Sequence, residues 1–374
     1  MSSNRVKLKI NLSLLKNNIE VIREKSRANI LAMIKANAYG HGINEIYHFL
    51  KDYCGIFHFG LASIEEAVTL RRVSQDYSSS LVVFSDLGFC RDDIFSTFAN
   101  EKVIPVISSW ADLDYFLGKN AKYNIPLYLK LNTGMNRLGI SYEDVESLVS
   151  NLKKRNIKKI DHLMTHFSSS NLKVENGSKC FNQYEVFKIA KKAIVESGIK
   201  VIDSSVSNSG AIEQGIGLEE SFIRPGILLY GASVLSPELR ASALIKTKLI
   251  SSMETSVIKT FNVKQGSEIG YGDVKLKRDG KIVLVGVGYG DGLPTRFSGA
   301  KIKTSNNEGE IVGRVNMDMT AILFPENASI EKGGRINIWG EGYSNLTEIA
   351  DDVGLIPYEV LCNIGHRVNK EYTL

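Results

Sequence analysis

The chain has 374 residues, 43% hydrophobic and 23% charged, which is typical of a soluble globular protein large enough for two domains. Its charge of +5 is mild, and it has no dense basic block with interleaved aromatic residues, so nucleic-acid binding is not expected. The four cysteines are far apart without metal-ligand spacing, which indicates free thiols, a reducing compartment and no metal site. No apolar run has the length of a signal-peptide core or a membrane span, so we expect a cytoplasmic protein without membrane contact.

Up to Tyr230, short apolar runs alternate with amphipathic helical patterns. Ser63, followed three positions later by Glu66, has the pattern of a capping box and predicts the start of one of these helices. Eight strands that alternate with helices are typical of a (β/α)8 TIM barrel, although a doubly wound open sheet has the same alternation. The predicted barrel strands are 30–35, 57–61, 81–84, 103–107, 126–131, 159–164, 200–205 and 222–226.

Beyond Tyr230 the pattern changes to runs that alternate polar and apolar residues, separated by turn dipeptides such as Asp279-Gly280. This pattern predicts a β-rich second domain. We therefore assign residues 1–236 to an α/β barrel and residues 237–374 to a β-rich carboxyl-terminal domain. The predicted strands of the second domain are 245–251, 254–262, 281–287, 301–304, 310–315, 319–324 and 335–339.

Polar side chains follow the predicted barrel strands at the positions where a buried strand ends. Enzymes with this barrel carry their active sites at the carboxyl ends of the strands, so we expect these residues to meet at one mouth. Taken singly, each is more simply explained as a surface cation or as a polar group that serves the fold. Their occurrence after five strands favours a shared site. They are Lys35; Lys130, Asn132 and Arg137; His166; Ser207, Asn208 and Ser209; and Arg224.

Lys35 is the most informative of these residues. It ends the apolar run 30–34 and is followed at once by small and turn-forming residues. Partial burial disfavours a charged ammonium group, which lowers the pKa of an amine and makes it a nucleophile toward carbonyl groups. A lysine that ends a strand and extends into solvent is the alternative.

Segment 32–42, which contains Lys35 and Tyr39, resembles the lysine motif of the alanine racemases. The resemblance covers nearly the whole chain, in the same order. It is carried further by 130–139, 165–167, 207–209, 224–231, 270–272, 288–292, 313–318 and 358–362. The resemblance implies a TIM barrel with a β-rich second domain and pyridoxal 5'-phosphate as cofactor. It also implies an isomerase that interconverts L-alanine and D-alanine and supplies D-alanine for the peptidoglycan of the cell wall.

The resemblance implies two catalytic bases, Lys35 and Tyr271, on opposite faces of the substrate. Lys35 would hold the cofactor and serve one face, because racemisation removes a proton from one side of the α-carbon and returns it on the other. A free tyrosine has a pKa of about 10, so a phenolate at Tyr271 needs nearby positive charge or hydrogen-bond donors, which His166 and Arg137 would supply. Tyr271 would reach the site from a second subunit, so a homodimer with shared sites is expected.

Further roles follow from the same resemblance. Arg137 and the amide of Met317 would bind the substrate carboxylate, since an arginine fork fits a carboxylate. Arg224 would face the pyridine nitrogen and, because it keeps its own proton, would leave that nitrogen unprotonated, which favours racemisation over transamination and decarboxylation. The implied cofactor-binding residues are Lys35, Tyr39, His166, Asn208, Ser209, Arg224, Gly226, Ile227 and Tyr358, and the implied gate residues are Tyr289, Arg314 and Asp318.

Two positions bear on one open question. Lys130 matches a lysine that is carbamylated in many members of this family, where the carbamate holds the residue that corresponds to Arg137. Asn132 stands where many members have an aspartate. In some members an asparagine with a chloride ion fills that structural role. The sequence therefore leaves open whether Lys130 is carbamylated.

Three other functions remain as alternatives. A fold type III amino-acid decarboxylase has the same architecture, but it places an acidic residue against the pyridine nitrogen, where Arg224 is expected. A vitamin B6 carrier protein built on the barrel alone needs neither Tyr271 nor a second domain. A serine or broad-specificity racemase differs only in pocket shape, and Tyr289 and Tyr358 would narrow the pocket in favour of alanine.

Overall fold

The computed structural model describes residues 5–85 and 90–374. No helix within these two ranges is long and apolar enough to cross a membrane. The strands are β1 Val6–Asn11, β2 Asn29–Met33, β3 His58–Leu61, β4 Ser80–Val83, β5 Val103–Ile107, β6 Tyr128–Asn132, β7 Ile140–Ser141, β8 Lys159–Met164, β9 Lys200–Ser205, β10 Phe222–Ile223, β11 Ser251–Val263, β12 Gly280–Val285, β13 Lys301–Lys303, β14 Glu308–Val312, β15 Thr320–Phe324, β16 Arg335–Trp339 and β17 Asn369–Thr373.

Helices connect most of these strands. The α-helices are α1 Leu12–Lys25, α2 Lys35–Tyr39, α3 Ile43–Asp52, α4 Ile64–Ser74, α5 Asp92–Asn100, α6 Trp110–Lys119, α7 Val145–Lys154, α8 Lys179–Glu196, α9 Ser209–Glu213, α10 Pro237–Ser242, α11 Leu346–Asp352 and α12 Pro357–Cys362. Short 3₁₀ helices lie at Asn120–Lys122, Tyr142–Asp144, Ile227–Tyr230, Tyr289–Asp291 and Thr295–Phe297. Helix α4 begins as the sequence predicts, with the Ser63 hydroxyl accepting a hydrogen bond from the Glu66 amide.

Eight parallel strands close into a barrel in the order β2, β3, β4, β5, β6, β8, β9, β10. The pairing of Val106 with Tyr128 joins β5 to β6, and the pairing of Phe222 with Asn29 joins β10 to β2. Strands of a parallel sheet covered by helices are buried on both faces, which is why β2, β4 and β5 are nearly continuous apolar runs, whereas β8 and β9 mix polar and apolar residues. The predicted TIM barrel is confirmed, and the doubly wound open sheet is wrong.

The predicted β-rich carboxyl-terminal domain is also confirmed. Its sheet has the order β13, β14, β15, β12, β11, β1, β17, with β16 paired to β11. Strand β1 comes from the amino-terminal end of the chain, runs antiparallel to β11 and places Leu8 opposite Met253. On its other side β1 runs parallel to β17. The sheet therefore contains both ends of the described chain, while the division of the sequence at 236/237 stays a prediction.

The predicted strand 245–251 is wrong except for its last residue, because β11 begins at Ser251. The buried apolar side chains of Ile245 and Ile250 explain the strand-like pattern. Their backbone amides form hydrogen bonds with the barrel domain and not with a neighbouring strand. The Ile245 amide, for example, donates to the carbonyl of Glu213. Strands β1 and β17 were missed by the sequence reasoning, because neither is flanked by a hairpin partner along the chain.

Candidate active site

A cavity of about 250 Å³ lies at the carboxyl ends of the barrel strands. Most of the residues predicted for the site line this cavity, as expected from residues that follow neighbouring parallel strands. They are Lys35, Tyr39, Lys130, Arg137, His166, Asn208, Ser209, Arg224, Gly226 and Tyr358. Ile227 is fully buried next to Gly226 along the chain.

Two tyrosines, Tyr39 and Tyr358, line the cavity, and the buried Tyr230 packs against Tyr39. The Tyr39 ring packs against the rings of Tyr230 and Tyr358, with centroids 5.1 Å and 5.7 Å away. A Cβ atom at Gly226 would collide with the Tyr39 hydroxyl, so glycine at this position lets the hydroxyl approach the backbone closely. Burial raises the pKa of Tyr39 well above its usual value, which keeps its hydroxyl protonated as a hydrogen-bond donor.

Ser209 is the centre of a group of hydroxyls and amides on the same side. Its hydroxyl oxygen accepts hydrogen bonds from the amides of Gly226 (2.9 Å) and Leu228 (3.3 Å), and it also bonds with the Tyr358 hydroxyl. Asn208 begins helix α9, and its side-chain oxygen accepts from the Ala211 amide at 3.2 Å. These contacts bring the start of α9 and the segment after β10 together around one polar corner of the cavity.

Arg224 is buried, and its hydrogen-bond partners among the described residues are all neutral groups. Its guanidinium donates to the Ser205 hydroxyl and to the carbonyls of Thr165 and Val206. An arginine has no acceptor, so the Ser205 oxygen accepts from Arg224, and its own proton is directed at Nε2 of His162, 2.7 Å away. Burial lowers the pKa of Arg224 to about 10, so the guanidinium stays charged near neutral pH.

The sequence reasoning did not identify Ser205 or His162. Both are fully buried polar residues and therefore need hydrogen-bond partners. Strands β8 and β9 contain several other polar residues, so the residue type alone did not single out these two. Burial, and then the charge of Arg224, lower the pKa of His162 to about 3. The imidazole is therefore neutral at physiological pH and accepts the serine proton.

The cavity is strongly basic. Burial lowers the pKa of Lys130 to about 8, assisted by the positive charges of Arg224, Arg137 and Lys35. Burial and Arg137 also lower the pKa of Lys35. The same burial and cations hold the pKa of His166 well below its usual value, so its ring is neutral. No Asp or Glu is among the described residues that line the cavity, which suits it to an anionic ligand.

Five further predicted residues lie in a second, open pocket of about 790 Å³ on the β-rich domain, whereas Asn132 and Ser207 line neither this pocket nor the Lys35 cavity. No residue in the described part of the chain lines both this pocket and the Lys35 cavity. Tyr271 is 71% exposed and Met317 is 52% exposed. The structure therefore divides the predicted site into a barrel half and a β-domain half. The β-domain half comprises Tyr271, Tyr289, Arg314, Met317 and Asp318.

Arg367, which the sequence reasoning also missed, holds the loop that carries Met317. Its guanidinium donates to the carboxylate of Asp318 at 3.0 Å and to the carbonyl of Met317 at 3.4 Å. It also pairs with the buried carboxylate of Asp291 at 3.2 Å. Arg367 follows α12, and its partners are at least 49 positions away along the chain, so no local pattern links them.

Residues 10–234 match the family described as "Alanine racemase, N-terminal domain", and residues 250–372 match "Alanine racemase, C-terminal domain". The chain belongs to the alanine racemase family. It is 32% identical over 375 residues to the alanine racemase of Coxiella burnetii strain RSA 331, and 98% of each chain is covered.

Solved structures of this family have the same fold. The biosynthetic alanine racemase of Pseudomonas aeruginosa is 26% identical with a TM-score of 0.85, covering 99% of this chain and 100% of that one. The alanine racemase of Bartonella henselae, solved with covalently bound pyridoxal phosphate, is 22% identical with a TM-score of 0.84, covering 99% of each chain.

We predict that Lys130→Met stabilises the ligand-free protein below pH 8. The protonated amine is disfavoured in the folded state, so a pKa lowered from 10.5 to about 8 costs the fold about 3 kcal/mol at low pH. Between pH 8 and 10.5 the unfolded state binds the extra proton, so the stability of the parent rises with pH and the advantage of the variant disappears.

Unfolding of both proteins in carbon-dioxide-free buffer at pH 7 and pH 10 measures this difference. Lys154→Met, at an exposed position on α7, is the matched control and should change stability little at either pH. A Lys130→Met variant that is no more stable than its parent at pH 7 would contradict the prediction.

Proposed function

We propose that this chain interconverts L-alanine and D-alanine with pyridoxal 5'-phosphate as its cofactor. The observation that carries the proposal is the basic cavity at the barrel mouth, where Lys35, an amine of lowered pKa, shares a lining with Ser209 and Arg224. The relatives and solved structures described above are alanine racemases. The decarboxylase, carrier and serine-racemase alternatives are not favoured by any of these findings.

The residues present fit the proposed cofactor. Its phosphate would lie among the hydroxyls of Tyr39, Ser209 and Tyr358 and the backbone near Gly226 and Ile227, with Asn208 in support. Arg224 would face the pyridine nitrogen, and Lys35 would supply the amine that holds the cofactor. A strongly basic cavity without a lining carboxylate in the described residues is what a dianionic phosphate requires. The Bartonella henselae structure, with pyridoxal phosphate covalently bound, supports the same cofactor here.

Pyridoxal phosphate, when bound, withdraws electrons from the α-carbon of an amino acid and makes its proton acidic. The side chains of this chain would then position the substrate and move the proton. Arg137 is exposed and has no hydrogen-bond or ion-pair partner among the described residues, so its guanidinium is free to bind the substrate carboxylate. Met317 lies in the other pocket, so its amide would assist Arg137 only from a second copy of the chain. Lys35 would take or return the proton on one face because burial favours its unprotonated form.

We further propose that the base on the opposite face is Tyr271 of a second copy. The chain's own Tyr271 does not line the Lys35 cavity, and its 71% exposure leaves it available for contact with another molecule. Tyr289, Arg314 and Asp318 share the pocket of Tyr271 and would form the gate beside it. A homodimer in which each barrel receives the β-domain pocket of its partner would complete two sites.

We propose that the protein acts in the cytoplasm, where it supplies D-alanine for the synthesis of peptidoglycan. The description of the Pseudomonas aeruginosa relative as biosynthetic supports this direction. Alanine is favoured over serine because Tyr358 in the barrel and Tyr289 in the opposing pocket would narrow the space around the substrate side chain.

We also propose that Lys130 is carbamylated. Carbon dioxide reacts with an unprotonated amine, and a pKa of about 8 leaves about a tenth of Lys130 in that form at pH 7, far more than at the usual pKa of a lysine. The carbamate would add a negative charge beside Arg137 and Arg224. Protein equilibrated with ¹³C-labelled bicarbonate should give a carbamate carbon signal that Lys130→Met lacks. Equal signals from both proteins would contradict the assignment.

The racemisation itself is tested with L-alanine in deuterated water and protein loaded with pyridoxal phosphate. Chiral chromatography with mass detection should find D-alanine that carries deuterium at the α-carbon, rising toward an equal mixture with L-alanine. L-serine and L-lysine, tested in parallel, should react much more slowly, and lysine should release no carbon dioxide. Bound cofactor without D-alanine formation would overturn the proposed function while leaving the fold and the cofactor assignment standing.

Sharing of the sites is tested by mixing two inactive variants. Lys35→Ala and Tyr271→Phe should each lose most activity, by about 10²-fold or more for a proton-transfer residue. After subunit exchange, half of the dimers are mixed and contain one site with both native bases, so activity should return to about a quarter of the native value. Activity that stays at the level of the separate variants would show that both bases belong to one chain.

A further inference from the structure

The turn directly after Lys35 has an unusual backbone. Ala36, Asn37, Ala38 and Tyr39 have φ values of 52°, 55°, 53° and 52°. This left-handed conformation brings the Cβ of an L-residue close to the following carbonyl oxygen and is therefore unfavourable. Glycine, which has no Cβ, adopts it without this clash. Such a conformation persists only where the surroundings hold it in place. Lys35 directly precedes this turn and Tyr39 is its last residue, so the contacts that hold the turn also determine where the amine and the phenol lie.

The backbone hydrogen bonds around the turn do not use the Ala36 amide, which bonds to a side chain elsewhere in the chain. The Ala38 amide donates to the Ile34 carbonyl at 2.8 Å, and the Gly40 amide donates to the Ala36 carbonyl at 3.0 Å. The Ala36 amide donates to Oε1 of Glu66 at 2.8 Å. This bond is made across 30 positions of sequence, from the end of β2 to helix α4.

The second oxygen of Glu66 is also bound to backbone. Oε2 accepts from the amide of Ala62, which directly follows β3, at 2.8 Å. One carboxylate therefore joins the carboxyl ends of two neighbouring barrel strands. Glu66 was predicted from the sequence as half of a local capping box with Ser63. Its contacts with Ala36 and Ala62 give it a second, long-range part in the structure.

We propose that Glu66 is a positioning residue, whose carboxylate fixes the left-handed turn and thereby sets the Lys35 amine and the Tyr39 hydroxyl for the reaction. The proposal rests on the function proposed above. A carboxylate is needed because two amides donate to two different oxygens, each in a charge-assisted bond. Glutamine at this position would turn an amino group toward one of the two amides and leave that amide without an acceptor.

The charge of Glu66 acts on the amine as well. Burial and Arg137 lower the pKa of Lys35, while the Cys362 thiol and Glu66 oppose them. The other charged or titratable groups facing Lys35 are Lys130 and His166, whose pKa values its charge lowers. Removing the Glu66 charge should therefore lower the pKa of the Lys35 amine further, which an uncharged structural support would not do.

The first test compares Glu66→Gln with Glu65→Gln by hydrogen exchange in the cofactor-loaded protein. Glu65 is the preceding residue of α4 and is exposed, so the same chemical change there controls for the helix terminus. In Glu66→Gln the amides of segment 36–42 should exchange about tenfold faster, as expected from one lost charge-assisted hydrogen bond. Glu65→Gln should exchange like the parent. Equal protection of this segment in all three proteins would overturn the proposal.

The second test uses Ala36→Gly to relieve the strain. Ala36 is exposed, so glycine creates no cavity, and glycine adopts positive φ without steric cost. Added to Glu66→Gln, it should restore most of the protection of segment 36–42 but leave the lowered pKa of Lys35 unchanged. Absence of recovery in the double variant would show that Glu66 does not act through the turn.

The Lys35 pKa is measured from the pH dependence of its modification by an amine reagent in cofactor-free protein. It should fall in Glu66→Gln and stay at the parent value in Glu65→Gln, and an unchanged value in Glu66→Gln would count against the charge effect. If Glu66→Gln alone does not fold, recovery of folded protein in the double variant supports the proposal, and failure to recover overturns it. These readouts do not require racemase activity, so a failure of the proposed function would be seen separately.

Discussion

The physical constraint behind the site is the confinement of four cationic side chains in one small cavity. They are Lys35, Lys130, Arg137 and Arg224. Confined like charges can be relieved in two ways, by loss of protons or by binding an anion. The lysines and His166 follow the first route, since burial and mutual repulsion lower their pKa values. The arginines keep their protons and leave the second route open. The lowered pKa of Lys35 and the proposed binding of a phosphate therefore have the same origin.

Arg224 shows how the protein keeps one of these charges without neutralising it. Its partners in the barrel are a hydroxyl and two carbonyls, which satisfy the guanidinium geometrically but carry no opposite charge. Beyond Ser205, the neutral ring of His162 accepts the serine proton and so fixes the direction of the hydrogen bonds. A carboxylate in this chain would compensate the guanidinium. Among the described residues no carboxylate bonds to Arg224, so its charge stays uncompensated, as its proposed contact with the pyridine nitrogen requires.

The sequence predicted the barrel well because each strand is an apolar run that local patterning reveals. It failed where tertiary contacts decide. Segment 245–251 has the apolar residues of a strand, but its backbone bonds with barrel residues such as Asn18 and Glu213. Strand β1 forms because β11 and β17, both far along the chain, lie beside it.

The site residues also divide into those that local sequence patterns reveal and those that depend on tertiary contacts. The residues that line the barrel cavity could be named from motifs, because they follow their strands directly. Ser205, His162 and Glu66 could not, because each acts through another side chain or a backbone amide at least 19 positions away. Their chemistry depends on the contact, and no local spacing indicates it. The left-handed turn after Lys35 was hidden for the same reason, since alanine and asparagine do not signal positive φ at four successive positions.

Direct contacts join the barrel and the second domain, which carry the two halves of the predicted site. Asn11 ends β1 of the β-rich sheet, and its side-chain oxygen accepts from the Leu14 amide at 3.0 Å, capping the first helix of the barrel. On the other side of the barrel mouth, α12 of the second domain brings Tyr358 against Tyr39. A second copy that placed its Tyr271 over Lys35 of the first chain would therefore also determine where its own barrel lies relative to that chain. If these contacts are kept on association, one interface geometry would complete both sites at once, which is the condition for a closed two-fold assembly.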